Sequence, residues 1–161
     1  MRFPLEVLRR VREYVGPDFP VGYRLSAEER LEEVGIANGL KLEDGVAFAR
    51  RLADEGISWI HVSVGLRETN FMVSPPACVD KGWISGVARA VREGVGHRVP
   101  IIAVNRITDE NVAEDILRRG DADLTAMGRA LIADPDLPNK AAAGQSEDII
   151  RCVGCNDGCV G

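Results

Sequence analysis

Four short apolar runs, near residues 20, 59, 101 and 124, are separated by stretches whose apolar residues recur at helical spacing. Val46, Ala49, Leu52 and Ala53 fall on one helical face, as do Ile84, Val87, Ala88 and Val91, and then Val112, Ala113, Ile116 and Leu117. A further amphipathic stretch, residues 3–15, places Leu5, Leu8, Val11 and Val15 together ahead of the first run. Strand and helix thus alternate strictly, which predicts a parallel sheet joined by right-handed crossovers. The near-continuous run Ser58–Val64 predicts strands buried on both faces. An eight-stranded βα barrel needs about 250 residues, so four strands make half of one. No Gly-x-Gly-x-x-Gly follows the first run, which argues against a dinucleotide-binding sheet.

The spacing sets the expected strands at Phe19–Leu25, Ser58–Val64, Ile101–Val104 and Leu124–Met127, with a helix from about Asp109 to Arg119. Residues 26–44 read as a solvated loop with one short helix. Residues 65–81 read as a long loop carrying Arg67, Pro75-Pro76 and Cys78.

At 45% apolar and 28% charged residues, with a net charge of −5, the composition speaks against nucleic acid or an anionic membrane as partner. No apolar run approaches the roughly 20 residues that cross a bilayer, and the N-terminus is amphipathic, so a cytoplasmic protein is expected. Of four cysteines, Cys152, Cys155 and Cys159 lie close together. In a reducing compartment that clustering favours metal or redox chemistry over disulfides, with zinc as one candidate. Cys78, His61 and His97 read as structural or loop residues.

The last two runs end in similar pairs, Asn105-Arg106 and Gly128-Arg129. Each pair is expected where a strand hands over to a helix. Two adjacent helix starts, each with free N–H groups and an arginine, would form a doubled phosphate receptor. Arg24, near the carboxyl end of the first strand, points to the side where α/β proteins keep their ligands.

Several stretches together carry a specific resemblance: Arg2-Phe3-Pro4-Leu5-Glu6-Val7, Gly22-Tyr23-Arg24-Leu25-Ser26, Asn105-Arg106-Ile107, Met127-Gly128-Arg129-Ala130-Leu131-Ile132-Ala133-Asp134-Pro135 and Cys152-Val153-Gly154-Cys155-Asn156. The chain resembles the old yellow enzyme superfamily of NADH:flavin oxidoreductases, and within it the iron–sulfur branch of 2,4-dienoyl-CoA reductase and trimethylamine dehydrogenase. The resemblance implies the C-terminal half, strands five to eight, of an FMN-carrying TIM (β/α)8 barrel over residues 1–150. A cysteine segment occupies residues 151–161.

Position by position, Arg24 matches the arginine at the pyrimidine edge of the flavin. Asn105, Arg106, Met127, Gly128 and Arg129 match the positions around the phosphate. Cys152, Cys155 and Cys159 match three ligands of a [4Fe–4S] cluster whose fourth cysteine falls beyond Gly161. Where dienoyl-CoA reductases carry a histidine, this chain has Arg67, a weak catalytic candidate because a guanidinium does not give up its proton.

The implied activity is FMN-dependent reduction of an activated alkene, an enoyl-CoA or enone, by NAD(P)H. The chain alone is expected to be inactive and to pair through its open sheet edges with an N-terminal half-barrel or a second copy. The alternative is a flavin- or phosphate-binding half-barrel without turnover, and a small cysteine–metal protein ranks below both.

Overall fold

The computed structural model describes residues 1–159, and Val160 and Gly161 of the cysteine segment lie outside them. Four parallel strands lie in sequence order: β1 (Gly22–Ser26), β2 (Trp59–Ser63), β3 (Ile101–Ala103) and β4 (Leu124–Thr125). Helix α1 (Arg2–Val15) precedes them. α2 (Leu42–Asp54) joins β1 to β2, and α3 (Asn70–Val73) with α4 (Ser85–Gly94) joins β2 to β3. α5 (Glu110–Arg118) joins β3 to β4, and α6 (Arg129–Ala133) and α7 (Leu137–Ala142) follow. Strand, helix, strand in unbroken neighbour order is the expected half of a βα barrel.

The register separates the two faces of the sheet. Tyr23, Ile60 and Ile101 are paired across it, as are Leu25, Val62 and Ala103. This face is sealed by Ala49 and Leu52 of α2, Ala88 and Val91 of α4, and Ala113 and Ile116 of α5. The opposite face carries Arg24, His61, Ile102 and Leu124 in register, and Leu124 keeps 51% of its surface. The strands are therefore covered on one face only among the described residues, which corrects the expectation of burial on both. In a closed barrel the open face would be the interior, where residues from other strands pack.

Helix α1 departs from its predicted role in a similar way. Leu8 is buried, but Val11 and Val15 are each 40% exposed, and Phe3, Val7 and Tyr14 are also exposed. The helix is held by Leu5 and Leu8 on the core and by polar contacts, Arg9 with Glu55 and Arg12 with the carbonyls of Phe19 and Gly56. β1 starts at Gly22, three residues later than expected.

The most informative correction lies after β3. Asn105 and Arg106 both adopt left-handed backbone conformations, φ 91° and 50°. They form a turn and not a helix start. Helix α5 begins four residues further on, where Asp109 caps it by accepting from Val112 N–H at 3.2 Å. Asp109 Oδ2 also accepts from Lys81 Nζ at 2.7 Å. Burial alone would raise the Asp109 pKa, but Lys81, the Val112 N–H and Thr108 together hold it below the ordinary value.

Candidate functional site

The carboxyl ends of β3 and β4 open on a cavity of about 150 Å³. Ser74, Asn105, Arg106, Thr108, Gly128 and Arg129 are among its walls. Arg106 and Arg129, 23 positions apart in the chain by their numbers, thus share one pocket. They are brought together because β3 and β4 are hydrogen-bonded neighbours, Ile102 beside Leu124 and Ala103 beside Thr125.

The two arginines are held differently. Arg106 donates from Nε to Val79 O and from Nη2 to Ala77 O (2.6 Å), so it clasps the loop after α3. Arg129 donates through Nη1 alone, to Pro75 O at 2.8 Å and to Asn156 Oδ1. Among the described residues its Nε and Nη2 have no acceptor, which leaves them to the cavity. The N–H groups of Gly128, Arg129 and Ala130, at the start of α6, likewise have no acceptor among the described residues.

Asn105 is buried, and its side chain is fully engaged. Nδ2 donates to Met72 O (2.7 Å), and Oδ1 accepts from Trp83 Nε1 (3.1 Å). It fixes the long loop against the strand ends and offers the cavity little besides backbone. Met127 does not line the cavity. It packs between the main core and a small cluster of Ala130, Leu137 and Ile149. Arg67 is exposed on the loop after β2 and also stands outside the cavity.

Arg24 sits three strands from β4 on the open face. At the usual strand spacing that separation is roughly 14 Å. Its Nη1 lies 3.3 Å from His61 Nδ1 and 3.2 Å from Nε2, and its Nη2 lies 3.4 Å from Ser63 Oγ. Burial, and secondarily the Arg24 charge, push His61 below its ordinary pKa, so the imidazole beside Arg24 is held neutral.

Cys152 is half-buried, and Cys155 and Cys159 are exposed. Among the described residues no three His, Cys, Asp or Glu side chains converge as a metal site. The segment does reach the cavity walls by other residues. Asn156 Nδ2 donates to Ser74 O at 2.7 Å, and a Cβ placed on Gly154 would stand 3.1 Å from Arg106 Nη1 and 3.2 Å from Ala77 N. Ser74, Gly154 and Asn156 carry no local sequence signal for this role, because their contacts are loop to loop over long separations. No helix among the described residues is long and apolar enough to cross a membrane.

A cavity of this size admits a phosphate group. It is well below the roughly 300–1,000 Å³ that encloses a drug-sized ligand, so a flavin ring would have to lie outside it, along the open strand face. Cationic and N–H donors thus gather at the ends of the last two strands of a partial TIM barrel, with a second cation across the sheet, on the end of the barrel where such folds keep their ligand sites.

Residues 1–148 match the NADH:flavin oxidoreductase / NADH oxidase family, and the chain belongs to it. The chain is 40% identical to the NADH oxidase of Thermoanaerobacter brockii over 161 residues, all of this chain and 24% of that protein. It is 37% identical over 164 residues to a metal reductase of Desulforamulus reducens, 99% of this chain and 23% of that one. A solved structure of 2-naphthoyl-CoA reductase with 2-naphthoyl-CoA superposes with a TM-score of 0.87 at 30% identity, over 98% of this chain and 23% of that one. The chain therefore spans about a quarter of the length of these relatives.

Proposed function

We propose that these residues form the phosphate-binding half of an FMN-dependent NAD(P)H oxidoreductase that reduces carbon–carbon double bonds conjugated to a carbonyl or thioester. The observation that carries the proposal is the single cavity shared by Arg106 and Arg129 at the ends of β3 and β4, with Arg24 across the open face.

In this reading Arg129 and the N–H groups of Gly128, Arg129 and Ala130 grip the phosphate. Arg106 and Asn105 hold the loop that forms the cavity wall. Arg24, set beside a neutral His61, fixes the pyrimidine edge of the ring. When bound, FMN supplies two-electron chemistry, and a cation at that edge stabilises the negative charge of the reduced form. Arg67 is exposed on the loop after β2, and its guanidinium can donate hydrogen bonds to an anionic substrate but cannot serve as a proton donor. The relatives are about four times as long, and in this reading the remaining walls of the ring site belong to the other half of the barrel. The cysteine spacing favours reading Cys152, Cys155 and Cys159 as three thiolates of a [4Fe–4S] centre. Their side chains do not converge here, so no step is assigned through them.

With the rest of the barrel present, the purified protein is expected to be yellow and to bleach anaerobically on addition of NADH or NADPH, regaining colour with an enone or enoyl-CoA. A folded, colourless protein that takes up no added FMN contradicts the proposal.

A further inference from the structure

The cysteine segment touches the phosphate cavity through a residue that is not a cysteine. Asn156 bridges Arg129 and Ser74: its Oδ1 accepts from Arg129 Nη1, and its Nδ2 donates to Ser74 O at 2.7 Å. The residues joined are 27 and 82 positions away in sequence, so this one side chain ties the start of α6 and the loop after α3 to the cysteine segment. Asn156 sits in the left-handed region at φ 62°, a conformation asparagine tolerates better than most residues. Gly154, at φ 69°, lets the segment lie directly against Ala77 and Arg106.

The consequence falls on Arg129. Pro75 O and the Asn156 amide oxygen both engage Nη1, which fixes the guanidinium while Nε and Nη2 stay uncommitted among the described residues. A guanidinium fixed on one nitrogen and open on the others is pre-organised for a tetrahedral oxyanion, because the ordering is complete before the ligand arrives. Without Asn156, Arg129 would keep only the Pro75 carbonyl, and the Ser74 wall of the cavity would lose its anchor.

We infer that Asn156 is a positioning residue for phosphate binding, so that the cysteine segment acts on the flavin site through an amide clasp as well as through any chemistry of its thiols. The inference rests on the phosphate reading of the cavity given above.

The test uses the purified protein stripped of flavin and titrated with FMN and, separately, with riboflavin, which lacks the phosphate. Glycine is the cleanest replacement at this position, since it removes the amide without opposing the positive φ. N156G is expected to weaken FMN binding by about tenfold, the loss of one charge-assisted hydrogen bond and its ordering, while leaving riboflavin binding unchanged. R129Q is expected to weaken FMN at least as much, and N156G/R129Q by clearly less than the product of the two single losses, because the clasp acts chiefly through Arg129.

Wild-type FMN affinity in N156G beside a loss in R129Q overturns the clasp and leaves the phosphate reading standing. Indifference of both variants overturns the phosphate reading and the clasp with it. An equal loss of FMN and riboflavin in N156G shows general damage and overturns the positioning role.

Discussion

Arg24 and His61 are paired in register on neighbouring strands, and the guanidinium Nη1 lies within 3.3 Å of both imidazole nitrogens. A cation next to a neutral ring keeps its full charge for whatever lies over the open face of the sheet. If that is the pyrimidine edge of FMN, R24Q should make the flavin midpoint potential more negative and slow turnover by about 10²-fold, the usual scale for removing one fixed electrostatic donor. Potentiometry and steady-state kinetics check this, and an unshifted potential would remove Arg24 from the ring site.

The same pair makes stability depend on pH. Burial first, and Arg24 second, hold the folded His61 below its ordinary value of about 6.5. As pH falls through that value, the unfolded chain binds a proton that the folded chain refuses. Stability therefore drops on acidification and the loss levels off below the folded-state pKa. H61Q should show a smaller change in Tm between about pH 8 and about pH 5.5 than wild type. An identical change would mean that His61 is not the group responsible.

Asp109 links the cap of α5 to Lys81 at 2.7 Å and to Arg151 at 3.5 Å, joining the helix to the long loop and to the start of the cysteine segment. D109A should cost about 1–3 kcal/mol in thermal or denaturant unfolding, and D109N should recover part of that by keeping the cap. The folded Asp109 pKa is depressed, so its contribution is present above the unfolded carboxylate value and lost as pH falls. The gap between wild type and D109A should close below about pH 4.

The close approach of α2 to the strand ends gives a steric prediction. A Cβ on Gly45 would stand 2.0 Å from Ala27 O, a backbone atom that cannot swing aside. G45A should destabilise by about 1–3 kcal/mol or more, as overpacking does. G86A, in α4 with only Arg89 Nη2 at 4.0 Å, should be neutral or gain up to about 1 kcal/mol from helix propensity. Equal melting temperatures for the two variants would contradict the packing described.

The architecture was legible because strand and helix periods are local signals and the four apolar runs carry them without interruption. What those signals cannot say is which partner covers a face. Val11 and Val15 lie on an amphipathic helix yet remain exposed, and the alternation within Ser58–Val64 was masked by Trp59 and His61 on the open side. The helix after β3 lies where its spacing put it, from Asp109, but Asn105-Arg106 does not start it, because two consecutive left-handed residues leave no apolar signature to mark the intervening turn. Pairing the two arginine turns followed from topology alone, since successive strands in such a sheet are neighbours. The clasp by Asn156 could not be read from the sequence, because nothing local marks a contact between loops 82 residues apart.

As proposed, the cavity between the ends of β3 and β4 receives the phosphate of a flavin nucleotide. A crystal structure of the protein with FMN tests it most directly. The expected result is the phosphorus in the cavity walled by Arg106 and Gly128, with Arg129 Nε or Nη2 and the α6 N–H groups on its oxygens and the ring over Arg24. Phosphate bound elsewhere, with the cavity closed and Arg129 turned away from it, would rule out this binding site.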